Sequence, residues 1–89
     1  DGPAPEGGIT REQAVTMLYR YAGSPAASSS ALNGFADQSA VSSYAVTAMQ
    51  WAVGNGIITG KSGKLAPQEN ATRAEFATML MRFCDLANI

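Results

Sequence analysis

The sequence predicts an all-α fold with three main helices in helix–loop–helix units and one long ordered loop, and three observations support this prediction. The length of 89 residues suits a single domain. Three segments, residues 10–21, 43–54 and 72–87, carry apolar residues at helical spacing, with capping signals near their ends. Residues 57–70 lack that spacing but combine glycine turn signals with apolar residues that can enter a core.

The first and last helices begin with the same motif. In Thr10-x-x-Gln13 and Thr72-x-x-Glu75, the threonine hydroxyl can accept a hydrogen bond from the amide three residues later. The side chain at that position can accept one from the threonine amide, which completes a capping box. The residues predicted to face the core are Ala14, Met17, Leu18 and Tyr21 in the first helix, and Phe76, Met79, Leu80, Phe83 and Ala87 in the last.

The middle helix, at about residues 43–54, is predicted to end in a glycine cap. Ser42 or Ser43 can cap its start. Gly56 can adopt the left-handed conformation after the last turn, so that Ile57 folds back onto the helix. The predicted inward stripe is Ala45, Ala48, Met49 and Ala52. The four methionines, Met17, Met49, Met79 and Met81, are predicted to serve core packing.

An internal repeat relates the first and last helices at an offset of 62 residues. Residues 4–20 and 66–82 align without a gap, and eight of the 17 aligned pairs are identical. Self-similarity at a fixed period indicates a repeat architecture, in which units bury their faces against one another. We therefore expect residues 1–23 to form the second half of one unit, 24–34 a flexible linker, and 35–89 a complete second unit.

The composition argues against several classes of function. Net charge is −1, from six basic and seven acidic residues, so we expect no nucleic-acid surface and no polybasic membrane patch. Histidine is absent and Cys84 is the single cysteine, which disfavours metal sites and histidine-based catalysis. No apolar run approaches the roughly 20 residues that span a bilayer. We expect a non-enzymatic protein with no cofactor and no metal.

An arginine follows the capping threonine in both repeated helices, at Arg11 and Arg73. A cation at a helix start opposes the helix dipole, at a cost of about 0.3–1 kcal/mol when exposed, so capping does not explain it. Free backbone amides at that end favour an anion, and a guanidinium group can bind a carboxylate through two parallel hydrogen bonds. Both arginines are candidate carboxylate-binding residues, and solvated surface arginines are the alternative.

Five short motifs carry a family resemblance. In chain order they are Phe35-Ala36-Asp37, Tyr44-Ala45 with Trp51-Ala52-Val53, Gly56-Ile57-Ile58-Thr59-Gly60, Leu65-Ala66-Pro67 and Thr72-Arg73-Ala74-Glu75. Together they resemble the S-layer homology domain, a repeat found in bacterial surface proteins. One full repeat covers about residues 35–85, and residues 1–23 look like the second half of a preceding one.

The resemblance implies a location on the bacterial cell surface and binding of a secondary cell-wall polysaccharide, an anionic glycan that often carries a pyruvate ketal. It implies ligand contacts from Arg73 and Arg11, with Asp37 and the loop at Gly60 and Lys61 helping to form a groove between units. The chain departs from the family pattern at Gln13, where the motif has Glu. It also holds one and a half repeats instead of three, so further repeats or a homo-oligomer are expected partners.

Some interpretations stay open from the sequence. Trp51 can stack on a sugar ring or fill the core. Asp37 can contact ligand or bond to loop amides. The alternative function is a protein–protein module whose apolar repeat faces assemble exported chains.

Overall fold

The computed structural model describes residues 8–88, in which three α-helices are joined by loops. The helices are α1 (Arg11–Tyr21), α2 (Val46–Gly54) and α3 (Arg73–Ala87). Two short 3₁₀ turns, Gln38–Ala40 and Ser43–Ala45, precede α2. Within residues 8–88 the extended backbone forms only isolated bridges, Thr10 with Asn70 and Lys61 with Lys64. The all-α prediction is confirmed.

Both repeated helices begin at a capping box. The Thr10 hydroxyl accepts from the Gln13 amide at 3.2 Å, and the Gln13 side chain accepts from the Thr10 amide at 2.8 Å. Thr72 and Glu75 make the same pair of bonds, each at 3.0 Å. The repeat pairs at Ala4 and Pro5 lie outside the described residues.

The start of the middle helix differs from the prediction. Its first turn, Ser43–Ala45, is a 3₁₀ turn, and the α-helix begins at Val46. Ser42 precedes that turn but does not cap it, because its hydroxyl donates to the Glu12 carboxylate at 2.6 Å. The Glu12 carboxylate on α1 therefore binds the Ser42 hydroxyl that was predicted to cap the middle helix.

The end of α2 agrees with the prediction. Gly56 has a φ of +72°, in the left-handed region that favours glycine. The amide of Ile57 then donates back to the Ala52 carbonyl at 2.8 Å, and the Ile57 side chain is fully buried. The glycine cap turns the chain into the long loop that follows.

This loop crosses the start of α1. The amides of Arg11 and Glu12 donate to the carbonyls of Glu69 and Pro67, at 2.8 and 3.0 Å. The first amides of a helix have no partner within the helix, so the loop satisfies groups that would otherwise need water or a ligand. The amide of Ala71 donates to the carbonyl of Ile9, which lies just before α1, at 2.8 Å.

The core lies between α1, α2, α3 and the loop. Its buried apolar residues are Ala14, Val15, Leu18, Leu32, Val41, Ala45, Ala48, Met49, Trp51, Ala52, Ile57, Ile58, Leu65, Met79 and Phe83. Leu32 comes from the segment predicted as a flexible linker, which is also held by a hydrogen bond from the Tyr19 hydroxyl to the Pro25 carbonyl at 2.8 Å.

The inward face of two helices differs from the prediction. On α1, Met17 and Tyr21 are exposed, and Val15 is buried in their stead. On α3, Leu80, Met81 and Ala87 are exposed, and only Met79 and Phe83 are fully enclosed. The helical spacing of apolar residues defines a wide stripe, and the position of neighbouring elements decides which edge of that stripe is covered.

No helix in the described part of the chain is long and apolar enough to cross a membrane.

Candidate functional site

Arg11 is buried at the start of α1, with 3% of its surface exposed. Its Nε donates to the Leu65 carbonyl at 2.9 Å, and its Nη2 donates to the Thr59 carbonyl at 3.2 Å. Its Nη1 lies 3.7 Å from Glu75 Oε2 at the start of α3. The guanidinium group therefore ties three parts of the chain together. Since the neighbouring amides of α1 already have loop partners, this helix start is not the free anion receptor that the sequence predicts.

A groove of about 270 Å³ runs between α3 and the loop, and is here called the α3 groove. Its lining consists of loop residues 57–61, the α3 residues Ala74, Glu75, Thr78, Met79 and Arg82, and Arg11. Three of the predicted ligand-binding residues, Arg11, Gly60 and Lys61, thus meet in one place. Arg82 was not predicted to bind ligand, although the sequence repeat pairs it with Arg20.

The side chains that line the α3 groove carry more positive than negative charge: Arg11, Lys61 and Arg82 against Glu75. Lys61 Nζ lies 3.0 Å from Glu75 Oε2 and 3.3 Å from Glu69 Oε1. Arg82 makes no ion pair within residues 8–88. Among the described residues, its guanidinium group is the groove's uncommitted cation.

Hydrogen bonding sets the protonation of the paired groups. The Thr72 amide, and after it the Lys61 ammonium, hold the pKa of Glu75 below its ordinary value. Hydrogen bonds to Glu75 and then Glu69 raise the pKa of Lys61. Both groups are therefore charged at neutral pH, and Lys61 is partly neutralised by its partners.

Asp37 lies outside the α3 groove and organises the loop behind it. Its carboxylate accepts from the amides of Leu65 and Ala66, at 2.7 and 2.9 Å. Burial disfavours the charged carboxylate, but these two hydrogen bonds outweigh that effect and keep the pKa of Asp37 below its ordinary value. Ala66 has a φ of +50°, and Asp37 helps to hold this strained turn.

Trp51 belongs to the core, with 3% of its surface exposed. Its ring packs between those of Tyr19 and Phe83, at centroid distances of 5.6 and 6.0 Å. Two aromatic side chains, one from α1 and one from α3, enclose the indole, so the ring has no face open for a sugar. The sequence left two interpretations open for Trp51, stacking on a sugar and filling the core, and in the structure the side chain fills the core.

Gly60 and Arg73 have contrasting surroundings. A Cβ added at Gly60 would meet Phe35 Cε1 at 2.5 Å, so close packing excludes a side chain there. Arg73 is exposed and lines neither this groove nor the larger cavity beside α1. That larger cavity contains the capping residues Thr10 and Gln13 but none of the predicted ligand contacts.

No cluster of three or more metal-ligating side chains occurs among the described residues. Cys84 is a half-buried free thiol.

Comparison with known protein families gives one match. Residues 34–77 match the family model described as the S-layer homology domain. The matched range includes Asp37, Trp51, Gly60, Lys61 and Arg73, and excludes Arg11 and Arg82. No curated protein and no solved structure matches the chain.

Proposed function

The chain belongs to the S-layer homology domain family through residues 34–77, and on that premise we propose that it holds an exported protein on the bacterial cell wall by binding an anionic wall polysaccharide in the α3 groove. The family is one of cell-wall anchoring and not of catalysis. The proposed location is the cell surface, outside the membrane.

The charge of the α3 groove is the observation that carries this proposal. Three cations line it against one carboxylate, and Arg82 has no protein carboxylate as a partner in the described chain. A carboxylate on a sugar, whether a uronic acid or a pyruvate ketal, is a suitable partner because the guanidinium fork can bind it through two hydrogen bonds. Lys61 would add a second, weaker attraction, since Glu75 and Glu69 already compete for its ammonium group.

The other predicted ligand residues take different parts in this proposal. Arg11 and Asp37 position the loop that forms one wall, through their bonds to Leu65, Ala66 and Thr59. Gly60 would offer its backbone and lets the wall approach Phe35 closely. Direct contact between Arg73 and a glycan stays a prediction, which a substitution at this exposed position can test.

A cell-wall pulldown tests the proposal. The folded protein should sediment with purified bacterial walls, and should remain in the supernatant when the walls have been stripped of their secondary polysaccharide. Binding should weaken as salt rises, because exposed charges are screened within about 8 Å at physiological ionic strength. Equal sedimentation with intact and stripped walls would contradict the proposal.

A second candidate function, assembly with further repeat units, has its own support on α3. Repeat-related residues differ sharply in burial: Leu18 of α1 is 5% exposed, whereas its equivalent Leu80 is 41% exposed. Arg73 and Ala77 are likewise exposed where Arg11 and Val15 are buried. We call the residues Arg73, Ala77 and Leu80 the α3 outer face. On α1 the equivalent face is covered by α2 and the loop.

We propose that a further unit resembling residues 35–71 packs on the α3 outer face, either in the same polypeptide or from another copy. This agrees with the division into a half unit (1–23), a linker (24–34) and a complete unit (35–89). Light scattering at tens of micromolar, a range in which exposed apolar surface promotes association, should detect oligomers of this chain, and Leu80→Glu should reduce them. A monomer at that concentration would exclude assembly between copies. Wall binding that survives in the Leu80→Glu variant would show that anchoring does not depend on assembly through the α3 outer face.

A further inference from the structure

The chain contains the pair Asn-Gly twice, at Asn33-Gly34 and at Asn55-Gly56. Both asparagines and both glycines are exposed, and both glycines have positive φ, +96° at Gly34 and +72° at Gly56. An asparagine side chain before glycine is open to attack by the backbone nitrogen of that glycine, because glycine has no Cβ to hinder the approach. The two pairs share this local chemistry, but their surroundings in the structure differ.

Asn55-Gly56 is held at the end of α2 by hydrogen bonds. The side-chain amide of Asn55 donates to the Trp51 carbonyl at 2.9 Å, and the backbone amide of Gly56 donates to the Val53 carbonyl at 3.1 Å. The backbone nitrogen and the carboxamide that it would attack are therefore both tied to the helix. Each bond that must open before they can react lowers the population of the reactive arrangement.

Asn33-Gly34 has no bonds of this kind. The Asn33 side chain and the Gly34 backbone amide make no hydrogen bond to any described residue. A Cβ added at Gly34 would meet nothing within 4 Å, so solvent can reach the nitrogen of this residue. The backbone amide of Asn33 donates to the Ser30 carbonyl at 3.0 Å, but that nitrogen takes no part in the reaction.

The exposed pair lies between two residues that fasten this segment to the core. Leu32 is buried, with 4% of its surface exposed, and Phe35 packs against the core with its ring close to Gly60. The amide of Phe35 donates to the Leu32 carbonyl at 3.2 Å, which closes a turn around the pair. A change in the length of the main chain inside this turn would force the two residues apart.

We propose that Asn33-Gly34 is a site of spontaneous covalent modification, at which deamidation converts Asn33 to isoaspartate and loosens the turn that holds Phe35. In the first step the Gly34 nitrogen loses its proton to solvent base and forms a bond to Asn33 Cγ. The bond from Cγ to the side-chain nitrogen breaks, and that nitrogen takes up a proton and leaves as ammonia. Water then opens the succinimide ring, giving aspartate by attack at Cγ and isoaspartate by attack at the main-chain carbonyl. Water is consumed, ammonia is released, and nothing is oxidised or reduced.

Isoaspartate changes the chain in two ways. The main chain gains a carbon atom, because it now runs through Cβ and Cγ, and a carboxylate replaces the neutral amide. The added carbon removes the geometry in which Phe35 bonds to Leu32, and a less firmly held Phe35 loosens its packing against Gly60. Since Gly60 lines the α3 groove, the modification acts on the support of that groove. The inference does not depend on which ligand the groove binds.

Peptide mass spectrometry of the full chain tests the site. The folded protein is incubated in mildly alkaline buffer at physiological temperature, sampled over time and digested in acid. Electron-transfer fragmentation then distinguishes aspartate from isoaspartate at each position. Asn33 should convert at least about tenfold faster than Asn55, the factor expected when two hydrogen bonds must open first. Asn33→Gln should nearly abolish conversion at that position, because the longer side chain would have to close a larger ring.

A parallel incubation in guanidinium chloride is the control for local sequence. In the unfolded chain neither pair is held, so Asn33 and Asn55 should convert at similar rates. Similar rates in the folded protein as well, or faster conversion of Asn55, would overturn the inference that the structure leaves Asn33 reactive. Conversion of Asn33 only in the unfolded chain would overturn the site itself.

The effect on the fold is measured on the isoaspartate form, separated from fresh protein by ion exchange. It should unfold at a lower denaturant concentration, and its Phe35 amide should exchange hydrogen faster because the bond to Leu32 is lost. Freshly purified Asn33→Asp is the matched control, since it adds the same charge without lengthening the main chain, and it should behave like fresh protein. An isoaspartate form as stable as fresh protein would overturn the proposed loosening. An equal loss in Asn33→Asp would overturn the role of main-chain length.

Discussion

The guanidinium group of Arg11 and the carboxylate of Glu75 lie 3.7 Å apart, so that the first turn of α1 faces the first turn of α3. These two residues belong to successive copies of one repeat motif. Their contact encloses the inner end of the α3 groove, where Lys61 also reaches Glu75. The motif that starts each helix therefore also joins one repeat to the next.

Arg11 should be far more important for stability than its repeat equivalent Arg73. Arg11→Met removes two hydrogen bonds to loop carbonyls, of which the one to Leu65 is buried, each worth roughly 1.5–3 kcal/mol when the donor is charged. We expect the free energy of unfolding to fall by about 3 kcal/mol. Arg73→Met is the matched control and should change it by less than about 0.5 kcal/mol, because Arg73 is exposed. Urea denaturation measures both, and equal losses would contradict the buried role of Arg11.

Arg82 should dominate binding to intact walls. Arg82→Gln removes the α3-groove cation that has no ion pair with any described residue, while keeping polar bulk, and we expect wall affinity to fall roughly tenfold. Lys64→Gln is a control with the same change in net charge at an exposed site outside the α3 groove and the larger cavity beside α1. Arg73→Gln tests the sequence-based assignment. A pulldown in which Arg73→Gln, and not Arg82→Gln, loses binding would move the site to the exposed start of α3.

Asp37 should make the fold sensitive to acid. Hydrogen bonds from the loop amides lower its pKa in the folded state below the ordinary value of 3.8. A carboxyl group with a depressed folded pKa contributes stability that is present above its unfolded pKa and is lost as pH falls through the folded pKa. Asp37→Asn should therefore destabilise the protein at pH 7 and progressively less below about pH 4.

The measurement for Asp37 is the midpoint of denaturant unfolding between pH 2.5 and 7. Glu75 also has a lowered pKa, but it is present in both proteins, so the difference between them isolates Asp37. A difference that is constant over this range would show that the Asp37 charge is not what holds the loop.

Gly60 should tolerate no side chain. Gly60→Ala would place a Cβ against the Phe35 ring, and overpacking of this kind typically costs about 1–3 kcal/mol. Gly54→Ala is the control, because a Cβ there meets Ala31 at an ordinary 3.9 Å. Thermal melts should separate the two variants. Adding Phe35→Leu to Gly60→Ala should recover part of the loss, and a failure to recover would point to the Lys64 carbonyl oxygen, 3.2 Å from the same Cβ, instead of the ring.

Several features could be predicted from sequence because they depend on neighbouring residues. The capping threonines and the left-handed Gly56 need only a few consecutive residues to form, and the structure has each of them. The third predicted start, at Ser42 or Ser43, did not form a side-chain cap, and Glu12 on another helix binds the Ser42 hydroxyl. Local sequence signals therefore predicted a cap correctly where no side chain from another helix bound the capping group.

The candidate site was only partly predictable for the same reason. Gly60 and Lys61 were found from the motif that they belong to, and both line the α3 groove. Arg82 carried no signal beyond its identity with Arg20 in the repeat, because a single arginine on a helix is usually solvated. Trp51 could be assigned to the core only after Tyr19 and Phe83 were seen on either side of it.

The sequence by itself determined the starts of α1 and α3, the glycine cap, the repeat and the resemblance to the family, since each of these depends on short, ordered motifs. Tertiary structure alone decided which of Arg11 and Arg73 is buried, since both residues follow a capping threonine. The loop passes over the start of α1 and offers its carbonyls to Arg11, whereas α3 has no such loop over its start among the described residues. Identical local sequence gives one buried and one exposed arginine because burial depends on what packs nearby.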